Sequence, residues 1–163
     1  MHHQTVEISL MVIEDLDEIV SIENASFSLP WSRNMFLQEL QLQISRNIVA
    51  KISVNPKKIA GYMTYWIVDG EIQIHKITAS VDFRRSGIAS KLMEEMIRHS
   101  ADEGCTWCTL EVGRSNENAI KLYEKFGFSI QGLRPLYYSE RSEDALIMGA
   151  NLKDYMKSIR HEQ

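Results

Sequence analysis

Residues 71–112 constrain the fold more than any other part of the chain. The run EIQIHKITAS alternates apolar and polar residues and is rich in β-branched side chains, so it reads as a strand. From Gly87 to Glu103 the apolar residues Ile88, Leu92, Met96 and Ile97 recur every three or four positions, and Gly104 offers a left-handed stop, which spells a helix. CTWCTLEV then reads as a second strand. Strand, helix and strand in one sheet require a right-handed parallel crossover. The helix must begin at the carboxyl edge of the first strand, where ligands bind in such sheets.

The remaining elements fall around that unit. VEISLMVI alternates, and Asp15 with Glu18 makes a carboxylate version of a capping box, opening a helix to about Ser26. Pro30 breaks it, and Ser32 caps a second helix to about Leu42. NIVAKISV, IAGYMTYWIV and EIQIHKITAS form a meander joined by turns at Asn55-Pro56-Lys57-Lys58 and Asp69-Gly70. Asn116 to Phe126 is a shorter helix with Ala119, Ile120 and Tyr123 inward, closed by Gly127. FSIQGLRPLYY and DALIMGANL are the last strands, followed by a short tail from about residue 153. The expected fold is a single α+β domain over residues 1–163, with a mixed, mostly antiparallel central sheet of about seven strands flanked by about four helices.

With 163 residues, 44% hydrophobic and 25% charged, the chain can bury a core without disulfides or metal. A net charge of -4 with no basic stripe argues against binding nucleic-acid phosphates. No apolar run is long enough for a bilayer and the start carries no signal-peptide core, so a cytoplasmic protein without a membrane partner is expected. Cys105 and Cys108 follow a helix stop and enter a strand, the reverse of a thioredoxin-like motif, and no second ligand pair suits zinc. They read as reduced, semi-buried thiols. A monomer is expected, since no long apolar stripe is left unexplained.

Arg84-Arg85-Ser86-Gly87-Ile88-Ala89-Ser90 lies at the mouth of the crossover helix. A helix N-terminus carries amides with no partner inside the helix and a partial positive charge. Gly87 and Ala89 keep side chains clear, so backbone N–H groups from Arg85 to Ser90 can close on an anion, with pyrophosphate the natural guest. The spacing fits neither a P-loop nor a dinucleotide fingerprint. A plain solvated helix start with two surface arginines would read the same way.

Arg84-Arg85-Ser86-Gly87-Ile88-Ala89 matches the Arg/Gln-x-x-Gly-x-Gly/Ala motif of the Gcn5-related N-acetyltransferases, and the chain resembles that superfamily along nearly its whole length. More narrowly, Phe27-Ser28-Leu29-Pro30-Trp31-Ser32, Leu110-Glu111-Val112, Ser115-Asn116, Tyr137-Tyr138 and Glu143-Asp144-Ala145-Leu146-Ile147-Met148 resemble the bacterial ribosomal-protein-alanine N-acetyltransferases. Two departures stand: Ser80-Val81-Asp82 where the family often has proline, and Gly113 before Arg114 where it often has arginine directly.

The resemblance implies acetyl-CoA as donor, held through Arg84, Arg85, Ser86, Gly87, Ile88, Ala89, Ser90 and Asn116. It implies a splay between strands 4 and 5, with Ile77, Thr78 and Ala79 receiving the acetyl group and pantetheine. Glu111 is then the base and Tyr123 the acid that protonates the departing thiolate; a solvent-face carboxylate and a packed core aromatic are the plainer readings. Asn116 would serve equally as an ordinary helix cap. Phe27, Leu29, Trp31, Tyr137 and Tyr138 would flank the acceptor, a protein N-terminus of ribosomal origin, and Glu23 would meet its polar groups. His75 and Lys76 are rival bases, read as solvated strand-edge residues. A lysine or small-amine acceptor, or an acyl-CoA sensor without catalysis, remains an alternative.

Overall fold

The computed structural model describes residues 4–54, 56–138 and 143–160, with the side chains of 136–138, 159 and 160 outside the described set. In chain order the elements are β1 (Val6–Leu10), a 3-10 turn (Ile13–Asp15), α1 (Leu16–Ser26), α2 (Arg33–Gln41), β2 (Ser45–Ile52), β3 (Lys58–Val68), β4 (Glu71–Ala79), a second 3-10 turn (Val81–Phe83), α3 (Ile88–Asp102), β5 (Trp107–Gly113), α4 (Glu117–Lys125), β6 (Ser129–Tyr138), β7 (Glu143–Asn151) and α5 (Leu152–Arg160). The seven strands hydrogen-bond in the order β1-β2-β3-β4-β5-β7-β6. β4 and β5 are parallel, as the crossover demands, and their register runs from Glu71↔Trp107 to Ile74↔Leu110. β4 then continues to Ala79 and β5 to Gly113 beyond the last of those pairs.

The chain divides into two compact units, Met1–Trp66 with Lys76–Met96, and Ile67–His75 with Ile97–Gln163. In the first, Met11, Leu16, Ile19, Phe36, Val49, Ile59 and Tyr62 form a buried cluster onto which Val20, Ile22, Trp31, Leu37 and Leu40 pack. Each fully buried apolar side chain of this size contributes roughly 1.5–3 kcal/mol. The Ser32 hydroxyl accepts from Met35 N at 3.2 Å and starts α2 where expected. The carboxylates at the start of α1 behave differently. Asp15 Oδ2 accepts from Val12 N at 2.9 Å and Asp15 Oδ1 pairs with Lys51 at 2.8 Å, while Glu18 Oε1 reaches Ile59 N of β3 at 2.8 Å. A strand amide next to the β2–β3 register shift thus takes the side chain that the capping box would have used.

In the second unit Asp69 and Gly70 both take positive φ, 51° and 78°, as a two-residue hairpin turn requires. α5 occupies the segment expected as a tail, so the described residues hold five helices where about four were foreseen. Asn151 Oδ1 caps it through Lys153 N at 3.0 Å, Leu152 is fully buried, and Tyr155 packs on Phe126 with ring centroids 5.1 Å apart. β6 ends the sheet, and Pro135 lies within it. None of the described helices is long and apolar enough to cross a membrane.

Cys105 and Cys108 are in no disulfide and both are buried, deeper than expected. Burial, and then the neighbouring Cys105, hold the Cys108 thiol well above its ordinary range. A disulfide-exchange reagent should therefore label the native chain at less than about a tenth of its rate on the urea-unfolded chain. Equal rates would mean that the β5 end is open.

Candidate active site

The turn before α3 has the backbone of an anion cradle. Arg85 takes φ 64° and Gly87 φ 76°, and residues 84–87 are exposed. A left-handed arginine is uncommon, and its conformation turns consecutive amides toward one side. The first helical bond runs from Lys91 N to Gly87 O at 3.1 Å, so the amides of Ile88, Ala89 and Ser90 precede any acceptor that the helix can offer. A Cβ built on Gly87 would meet nothing within 4 Å, which leaves the approach clear.

Gly61 of β3 sets where that helix begins. A Cβ there would lie 2.6 Å from Thr78 O and 2.7 Å from Ile88 Cγ2, so only glycine lets β3 pass this close to both β4 and the start of α3. Ser80 N, just past β4, donates to Ala60 O at 2.7 Å and fastens the end of the strand. Thr78 Oγ1 is buried beside the Tyr62 hydroxyl. The clear turn at Gly87 and the amides that open α3 suit a ligand that brings phosphate groups. The residues present fit acetyl-CoA on these grounds.

The loop after α1 brings Phe27 and Trp31 together, while Leu29 is 67% exposed. Lys76 Nζ lies 4.1 Å from the Phe27 ring centroid and 4.6 Å from that of Trp31. It also pairs with Glu23, whose side chain is fully buried. Glu23 Oε1 accepts from Trp31 N at 3.0 Å as well, and Glu23 Oε2 accepts from the Tyr62 hydroxyl. Burial pushes the Lys76 ammonium below its ordinary range, and Glu23 pulls it back up. Burial, then Glu23, carries the Tyr62 hydroxyl well above the usual tyrosine range. Lys76 is therefore not the solvated residue expected, because a carboxylate and two ring faces replace its water. His75 is exposed.

That network was missed, yet its signal was present. Lys76 shares the strand phase of Ile72, Ile74 and Thr78, all buried, and Glu23 shares the helix face of Leu16 and Ile19. Opposite charges on two buried faces call for each other. Removing water from such ions costs several kcal/mol each, and apolar replacements of similar size are often neutral or stabilising, so the pair is poor evidence of a stability device.

In the second unit, Leu110 and Val112 face the core and Glu111 lies on the other side of β5, as a period of two requires. Glu111 Oε1 pairs with Arg134 Nη2 of β6 at 2.7 Å, a partner that the sequence reading did not name. Tyr123 is buried on α4, its ring centroid 5.8 Å from that of Phe128. Asn116 caps α4, its Oδ1 accepting from Ala119 N at 3.3 Å. Arg114 pairs loosely with Asp144 at 3.6 Å, and Gly113 leaves room for Glu143, whose Oε1 accepts from Ser115 N and Oγ, both at 2.6 Å. The side chains of Tyr137 and Tyr138 lie outside the described residues.

A family model described as the Acetyltransferase (GNAT) family matches residues 16–128. The chain belongs to that family. It is an acetyl-CoA-dependent N-acetyltransferase. A Bacillus subtilis relative, named provisionally as a [ribosomal protein bS18]-alanine N-acetyltransferase, is 34% identical over 146 residues, covering 88% of this chain and 94% of its own. The crystal structure of the ribosomal-protein-S18-alanine N-acetyltransferase from Escherichia coli aligns at a TM-score of 0.82 and 30% identity, over 91% of this chain and 94% of that one. Arabidopsis thaliana NAA60, solved in complex with acetyl-CoA, shares the fold at a TM-score of 0.82 and 18% identity, over 91% of this acetyltransferase and 99% of that chain.

Proposed function

We propose that this acetyltransferase modifies the α-amino group of a protein N-terminus, an alanine of a small-subunit ribosomal protein. The observation that carries the reading is its likeness, over nine-tenths of the chain, to the Escherichia coli enzyme named for that reaction. The aromatic loop of Phe27 and Trp31 supports it, because paired rings suit an extended peptide better than a small, strongly hydrated amine.

An α-amine titrates near 7.7 to 8.0, so at neutral pH a modest base suffices to free its lone pair. Glu111, oriented by Arg134, takes the proton that the amine loses, directly or through one water. Acetyl-CoA, when bound, supplies a thioester carbon that accepts the amine nitrogen as the carbon–sulfur bond breaks. Amides of Ile77, Thr78 and Ala79 hold the negative charge that develops on oxygen. The Tyr123 hydroxyl returns a proton to the leaving sulfur, which balances the proton taken by Glu111. Arg84 to Ser90 hold the pyrophosphate, and Asn116 adds a polar contact to the donor while capping its helix.

A thiol-release assay tests the acceptor. Peptides differing only in the first residue are set beside free lysine and polyamines. The alanine peptide is expected to exceed every small amine by at least about tenfold in kcat/KM, a difference of roughly 1.4 kcal/mol in transition-state binding. Turnover confined to lysine or polyamines would remove the protein acceptor, and donor binding without any turnover would leave a sensor.

A further inference from the structure

The ammonium of Lys76 holds two ring faces and a carboxylate at once, and it does so one residue before the strand segment proposed to receive the acetyl group. Glu23 gathers the same elements from the other side: through one carboxylate it ties α1 to Trp31 N, to Tyr62 of β3 and to Lys76 of β4. A hydrocarbon side chain at position 76 would fill this space without the cost of two buried ions. What hydrocarbon lacks is direction, since an ammonium over a ring centroid fixes where the ring lies.

We infer that Lys76 is a positioning residue for the acceptor: paired with Glu23, it pins Phe27 and Trp31 as the wall against which the acceptor is bound. The inference rests on the proposed acceptor role of that loop. Lys76 is not the base, because its Nζ donates to Glu23 and has no lone pair to offer while the pair stands. Without the ammonium the Phe27 ring regains rotamer freedom and Trp31, still packed on Phe36 with ring centroids 5.3 Å apart, loses its contact to β4, so the acceptor must order the loop on binding. The penalty then falls on acceptor KM, with donor affinity and kcat spared.

The test uses the full chain with Lys76→Met, Lys76→Arg and the double variant Glu23→Gln/Lys76→Met. The double variant leaves no unpaired buried charge and keeps a side chain able to accept from Trp31 N, so it remains informative if the single variant folds poorly. Two readouts are taken: hydrogen exchange of residues 26–32, which needs no acceptor, and steady-state kinetics with the best acceptor of the thiol-release panel. In Lys76→Met and in the double variant, exchange in 26–32 should quicken roughly tenfold while β2 and β3 keep their protection. Acceptor KM should rise roughly two- to tenfold, the cost of ordering Phe27 and the loop that carries it, with kcat and acetyl-CoA affinity within about twofold. Lys76→Arg keeps the charge and should recover most of both effects. Unchanged exchange in 26–32, or a fall in kcat at constant acceptor KM, would overturn the assignment. A failure of the peptide reading itself is seen separately, in the wild-type panel.

Discussion

Tyr123→Phe is expected to lower kcat by about 10²- to 10⁴-fold, the usual worth of one positioned acid, while acetyl-CoA affinity stays within about twofold. The ring packs against Phe128 in the second unit, and Phe126 N and Phe128 N bond to the backbone oxygen of Tyr123 at 3.0 and 3.1 Å. These ring and backbone contacts do not involve the hydroxyl, so Tyr123→Phe keeps them. A core role alone would make the phenylalanine variant nearly silent in turnover. Steady-state rates together with donor binding by calorimetry separate the two: normal turnover would return Tyr123 to the core.

Gly61→Ala should be the most damaging single-methyl change among the glycines. Its Cβ would stand 2.6 Å from a backbone oxygen, Thr78 O, which cannot swing aside as a side chain can. The clash is expected to cost about 1–3 kcal/mol in unfolding free energy. It should also weaken acetyl-CoA binding by at least about tenfold, because β4 and the first residue of α3 are both driven away from β3 and positioning errors near 1 Å are expensive. Gly132→Ala is the control, since its Cβ would meet Ile147 Cδ1 at an ordinary 3.6 Å. Urea melts and donor titrations of both variants decide it. Equal behaviour would show that β3 can retreat.

Local chemistry made most of the fold readable: Asp69-Gly70 sets a hairpin, Ser32 and Asn116 cap helices, and Gly104 and Gly127 stop them with φ of 80° and 89°. The same is true of Gly87 and its turn, where residue type and position before a long helix carry the message. Partners far apart in sequence were not readable. Glu18 reaches Ile59, 41 residues away, and nothing local names that partner, whereas Glu23 and Lys76, 53 residues apart, are marked only by lying in the buried phase of their helix and strand. Arg134 was hidden similarly, because the pairing of β6 with β7, and of β7 with β5, brings it to Glu111. α5 was a missed pattern: Leu152, Tyr155 and Met156 follow helical spacing behind a capping asparagine.

The outermost strand, β6, carries a proline and irregular pairing on either side of Leu133. Proline has no N–H to give to a newcomer, and broken regularity bends a rim away from flatness. A sheet otherwise open to lengthening by another chain is thereby shielded along this margin, so the molecule can expose a strand in water without inviting fibrils from it.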